Sequence, residues 1–237
     1  MVYKIINDYF VSIRNIRGGL MTYKVIIGGV FLLTFVMHMI FTKNENKKGR
    51  CYTKPFLMPL LATFYIIGAE NINKFIIIAL AFGFIGDVFL LWPDRKNNFI
   101  FGLIAFLIGH IYYVLLFKQS ISFIKDIPIW FYLMLIIYSV VAVTIMKKLI
   151  NYLGDMKIPV FVYMIIIILM SVTSLARIWV MDINISFLLP FIGSLLFLCS
   201  DTMLAFDTFK GKFKNGNVYI MLTYVLAQVL IVGGYLY

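Results

Sequence analysis

Hydrophobic positions do not alternate with polar ones along this chain; they come in long blocks separated by short polar breaks. The blocks run over Met21–Phe41, Phe56–Ala69, Phe75–Trp92, Asn98–Phe117, Pro128–Met146, Ile158–Ala176, Ser186–Phe206 and Asn217–Leu236. Crossing a bilayer core takes about 20 apolar residues in a helix, and seven blocks come close to that length. The second is short and is expected to start a few residues earlier, near Tyr52. Backbone polar groups cannot go unpaired in lipid, so the blocks are expected to be helices. None has the period-2 alternation of a barrel strand. The prediction is an all-α, polytopic membrane protein: eight transmembrane helices in one bundle over residues 21–237.

Composition agrees. Of 237 residues, 63% are hydrophobic and 13% charged, and mean hydropathy is +0.99. A soluble domain is about 45–50% apolar and 25% charged. That difference excludes a soluble globular, disordered or disulfide-rich secreted chain. The two cysteines, Cys51 and Cys199, form no CxxC pair and imply no disulfide framework. Two histidines and two cysteines in unrelated segments make a zinc cluster, and with it a three-histidine zinc lipid hydrolase, unexpected. The usage of Ile, Phe, Lys, Asn and Tyr hints at an AT-rich bacterial genome, hence a bacterial inner membrane.

The net charge of +11 sits in the short loops. It is read as contact with anionic lipid headgroups and as a topology signal, since no nucleic-acid-binding motif is present. Loops after the first, third, fifth and seventh segments hold 13 Lys and Arg, and the opposite side holds 8. The positive-inside rule then places the richer loops in the cytoplasm. Residues 1–20 admit two readings. Arg17-Gly18-Gly19 before Met21 fits a translated ribosome-binding site, making Met21 the start and lowering the poorer side to 5. Alternatively the segment is an interfacial amphipathic helix with Tyr3, Ile6, Phe10 and Ile13 on one face. Lys-rich polar sequence follows the first block where a signal peptide would have its cleavage site, so that block is read as a retained helix.

Candidate chemistry lies in ionisable groups within the blocks. A charge at mid-bilayer costs roughly 2.5–3.5 kcal/mol on insertion scales, so such residues are rare. Asp87, in Gly86-Asp87-Val88-Phe89, and Asp201, in Ser200-Asp201-Thr202, are the two carboxylates. Each falls five residues before the end of a block, and the two blocks run in the same direction. Both should therefore lie about 7–8 Å inside the cytoplasmic helix ends, facing one cavity. The bland reading is that each packs against a neighbouring helix. Asp87 to His110 and Asp201 to Tyr224 are both 23 residues, compatible with a 4+4 parallel pseudo-repeat. Lys54-Pro55 opens the second segment, where the lysine can meet a phosphate, pair with a carboxylate or merely snorkel. His110, Tyr163, Tyr224 and Gln228 are further polar candidates, each with packing as the plainer role. Gly83, Gly86 and Gly193 are read as close-packing positions.

At these residues the chain resembles the YhhN-like lysoplasmalogenase membrane proteins. The resemblance lies in Lys54-Pro55, Gly86-Asp87 with Leu90-Leu91, Gly102 through Phe106 to Gly109-His110-Ile111-Tyr112, Gly193 through Phe197 to Ser200-Asp201, and Tyr224 with Ala227-Gln228. It runs from about residue 25 to the C-terminus. It implies an eight-helix fold and hydrolysis of the vinyl-ether bond of lysoplasmalogens to a fatty aldehyde and a glycerophospho-base. The family's two intramembrane aspartates map onto Asp87 and Asp201.

Two carboxyl groups suffice for that reaction. One donates a proton to the vinyl-ether β-carbon; the other, ionised, steadies the cation or activates water, with no metal or organic cofactor. Lys54 would then hold the substrate phosphate, while His110, Tyr163, Tyr224 and Gln228 line the site. The expected partners are a lysophospholipid substrate and membrane lipids, with no nucleic acid and no obligate protein. A proton-coupled transporter or channel is the rival reading, and a lipid-sensing bundle without turnover the third.

Overall fold

The computed structural model describes residues 2–92, 96–121, 129–180 and 184–236, and side chains over 21–92, 97–121, 129–179 and 184–236. Among these, the chain forms eight α-helices and no strand. They are α1 (Val2–Lys43), α2 (Lys47–Gly68), α3 (Lys74–Phe89), α4 (Lys96–Lys118), α5 (Ile129–Leu149), α6 (Lys157–Val180), α7 (Ile185–Ala205) and α8 (Gly216–Gly233). α1, α4, α5, α6, α7 and α8 each hold a stretch long and apolar enough to cross a membrane. The protein is a multi-pass membrane protein.

The expected eight spans reduce to six by length and hydropathy. α3 has 16 residues, about 24 Å of helix. α2 has 22, but its first two turns carry Lys47, Lys48, Arg50 and Lys54. These two helices are also among those that supply the centre of the bundle. The largest buried cluster draws on Leu57, Met58, Leu61 and Tyr65 of α2 and Ile76, Ala79 and Leu80 of α3. Tyr113, Leu116 and Phe117 of α4, Tyr163, Ile167 and Met170 of α6, Phe197 of α7 and Met221, Val225 and Ile231 of α8 also belong to it. α5 stands at the edge, joined to α6 and α7 by a second cluster around Phe131, Tyr138, Leu175 and Ala176. A hydroxyl ladder reinforces that contact: Tyr138 Oη lies 2.5 Å from Ser171 Oγ, and Ser171 Oγ 2.9 Å from Ser194 Oγ. Such interhelical hydrogen bonds matter where lipid offers no hydrophobic force between helices.

Local sequence sets the helix ends. Asn46 caps α2, its side chain accepting from Gly49 N at 3.0 Å. Asn73 and Asn184 cap α3 and α7 in the same manner. The Asn46 cap starts α2 nine residues before Pro55, so Lys54 is two turns into the helix and not at its opening. At the other ends α3 stops at Phe89, and α7 passes at Phe206 into a π-helical turn through Lys210. Asp87 consequently sits about 3 Å from the end of α3, shallower than the expected 7–8 Å, while Asp201 lies about 6 Å from the end of α7 with the π-helical turn continuing beyond it. α1 is continuous over Val2–Lys43; the amphipathic face of Tyr3, Ile6, Phe10 and Ile13 lies outside the described side chains.

Candidate active site

The buried face of α3 is Ile76, Ala79, Leu80, Gly83, Gly86 and Asp87, a single helical stripe. Asp87 ends that stripe and is 1% exposed. Two groups reach it. Lys54 Nζ of α2 lies 3.2 Å from Oδ1, and the Tyr224 hydroxyl of α8 donates to Oδ2 at 2.9 Å. Small residues create the space. A methyl group on Gly83 would lie 3.3 Å from both the Tyr224 oxygen and Gln228 Nε2, and one on Gly86 would lie 2.7 Å from the Phe106 ring. Gln228 touches neither aspartate; its side-chain oxygen accepts from the Tyr113 hydroxyl and braces the tyrosine side of the site.

Asp201 of α7 has an analogous pair of partners. The Tyr163 hydroxyl of α6 donates to its Oδ2, and His110 Nε2 of α4 stands 3.8 Å from the same oxygen. The His110 ring is wedged edge-on between Tyr163, at 5.4 Å, and Phe197, at 4.8 Å. Each aspartate is therefore met by a side chain from the helix before its own and by one from the helix that follows the other aspartate. The equal 23-residue intervals to His110 and Tyr224 thus join the halves crosswise: His110 serves Asp201, and Tyr224 serves Asp87.

The two sites differ in access and in charge. The Asp201 side chain is 15% exposed and the Asp87 side chain 2%. Asp201 and Tyr163 line two grooves. One, of about 430 Å³, runs between α4, α6 and α7, with Leu103, Phe106, Val160, Leu204 and Phe209 in its wall. The other, of about 460 Å³, lies between α5, α6 and α7. Apart from Asp201 and the Tyr163 hydroxyl the first is wholly apolar. Asp87 lines neither groove. Phe106 closes it off, lying in the first groove's wall and edge-on to the Tyr224 ring at 5.7 Å. Neither of these two grooves is the single hollow expected to hold both carboxylates, since each reaches Asp201 and not Asp87. Lys54 also differs from the phosphate-binding expectation: it is 5% exposed and its ammonium faces Asp87.

Three contributors were given no role by the sequence. Phe106 and Phe197 separate the two carboxylates; they stand in the motifs that carry the resemblance, but among 23 phenylalanines hydropathy assigns them nothing. His38 of α1, 0% exposed, accounts for how α2 is held. Thr53 gives its hydroxyl proton to Gly49 O at 2.9 Å, so its oxygen accepts from His38 Nδ1 at 2.7 Å. That bond fixes the turn adjoining Lys54.

No curated protein and no solved structure matches this chain. A family model described as the YhhN family matches residues 49–235, which takes in Lys54, Asp87, His110, Tyr163, Asp201, Tyr224 and Gln228. With most of its length and every one of these side chains inside that match, the chain belongs to the YhhN family.

Proposed function

We propose that the protein is an intramembrane hydrolase that cleaves the vinyl-ether bond of lysoplasmalogens, releasing a fatty aldehyde and a glycerophospho-base. The observation that carries this reading is a carboxyl group, Asp201, set with Tyr163 into the wall of an apolar groove and backed by His110. α2 and α3 complete an eight-span bundle in this reading, arranged as a crosswise 4+4 repeat. The charge bias sets the Lys-rich ends in the cytoplasm of a bacterial cell.

The two aspartates divide the work by their neighbours. Asp87 faces an ammonium and a hydroxyl donor, which suits the ionised form. Asp201 faces no ammonium or guanidinium among the described residues, and its Oδ2 is occupied by Tyr163, leaving Oδ1 to carry a proton. Asp201 gives that proton to the β-carbon of the vinyl ether, and the α-carbon and ether oxygen share the resulting positive charge. Water adds to the α-carbon and its proton returns to Asp201. The hemiacetal then collapses to aldehyde and alcohol. The sequence parallels glycoside hydrolysis, where a carboxyl group acts as acid and then as base around an oxocarbenium ion. Asp87 contributes a fixed negative charge behind Phe106, and His110 and Tyr163 hold the Asp201 carboxyl against the groove.

Incubating the detergent-solubilised protein with a lysoplasmalogen and measuring fatty aldehyde tests the reading. No aldehyde above a protein-free control would reject it. The buried Lys54–Asp87 pair also fits a proton-coupled carrier; uptake into sealed vesicles without aldehyde release would establish that reading instead.

A further inference from the structure

The hydrolase reading leaves the substrate's phosphate without a partner, because the Lys54 ammonium is committed to Asp87 inside the bundle. The end of the bundle nearer to Asp201 is rich in lysine. α5 carries Lys147 and Lys148 in its last turn, α6 begins at Lys157, and the turn after α7 closes on Lys210. Lys210 has the most specific setting. The π-helical turn Phe206–Lys210 carries the chain past the first groove, which Ala205 and Phe209 line. Its ammonium lies 5.8 Å from the centre of the Tyr152 ring and 5.9 Å from that of Phe206. Tyr152 follows α5, whose Met146 and Leu149 wall the second groove. Lys210 is thus held between the two helix ends that border the grooves. The carboxylate in the same turn, Asp207, is directed elsewhere, its Oδ1 accepting from Phe213 N at 3.4 Å.

We propose that Lys210 binds the phosphate of the lysophospholipid whose chain occupies the first groove, an assignment that rests on the hydrolase reading. The dimensions agree. Nine residues separate Asp201 from Lys210, about 12–14 Å along the helix. Five bonds separate the phosphorus from the vinyl-ether oxygen, about 6 Å. The flexible four-carbon arm of the lysine spans the remainder. With phosphate at Lys210 and the glycerol backbone passing Phe209 and Leu204, the ether carbons arrive at Asp201.

The test pairs a lysoplasmalogen with the same alkenyl glycerol lacking its phosphate, both in uncharged detergent micelles. Lys210→Ala is expected to raise KM for the phospholipid about tenfold, as loss of one charged hydrogen bond does. Its KM for the phosphate-free lipid should stay at the wild-type value, Lys210→Arg should restore the phospholipid KM, and Lys74→Ala at the opposite end of the bundle should match wild type. Equal losses on both lipids, or none on either, would overturn the assignment. Native mass spectrometry separates this assignment from the activity it rests on. Should the wild type release no aldehyde, the hydrolase reading falls. Retention of lysophosphatidylethanolamine over monoacylglycerol, lost in Lys210→Ala, would still uphold the phosphate site, and equal retention would reject it.

Discussion

Replacing Asp87 by asparagine keeps the side chain's shape and its hydrogen bond from Tyr224 but removes the charge facing Lys54. The lysine then remains 5% exposed with its ammonium aimed at a neutral amide. At 3.2 Å and an effective dielectric of about 20, the lost attraction is about 5 kcal/mol. Breaking a buried ion pair on one side costs about 3–5 kcal/mol in practice. That is a large share of the roughly 5–15 kcal/mol that separates folded from unfolded protein, and corresponds to a Tm lower by roughly 10 °C. Removing both charges should return most of the loss, because an apolar or amide pair of similar volume is nearly neutral relative to a buried ion pair. The assay is thermal unfolding in detergent, followed by tryptophan fluorescence, for Asp87→Asn, Lys54→Met and the double variant. If Asp87→Asn melts with the wild type, or the double variant melts no higher than Asp87→Asn, the ion pair does not carry the stability argued here. Activity of Asp87→Asn must be read against its folded fraction for the same reason.

Asp201→Asn isolates the chemistry. It breaks no pair with an ammonium, so its Tm should stay near wild type while aldehyde release falls by about 10²–10⁴-fold, the usual worth of a general acid; near-normal turnover would remove Asp201 from the acid role. Tyr163→Phe deletes the hydroxyl donor to Asp201 and should lower kcat several-fold to tenfold with KM little changed. Steady-state kinetics on a lysoplasmalogen decides between that and a substrate-binding role, which would raise KM instead. Gly193→Ala would set a methyl group 2.8 Å from Ala227 O and Ile231 Cγ1. Forcing α7 from α8 should cost about 1–3 kcal/mol, seen as a lower Tm, and an unchanged Tm would show that the helices yield freely.

Much of this protein was legible along the chain. Lipid makes internal hydrogen bonding of backbone polar groups obligatory, so an apolar block of about 20 residues dictates a helix before any contact is known. The blocks at Asn98–Phe117, Ile158–Ala176 and Ser186–Phe206 correspond to α4, α6 and α7 with ends displaced by a few residues. The same cost marked Asp87 and Asp201 as exceptional, since an acid in an apolar run needs a specific partner. The close-packing reading of Gly83, Gly86 and Gly193 also rested on local size alone, and neighbouring atoms stand close beside all three.

Only the tertiary structure decided what those residues face. Tyr224 meets Asp87 across 137 positions and Tyr163 meets Asp201 across 38, distances over which hydropathy carries no information. The pairing of Lys54 with Asp87, and the placement of Phe106 between Asp87 and the groove, follow from how helices stack and rotate. A block of apolar residues says that a helix must be buried, but nearly every face of such a helix is apolar. Its rotation is therefore chosen by small residues, rings and hydrogen bonds contributed from elsewhere in the chain. That choice left one aspartate sealed against a lysine and opened the other to a groove.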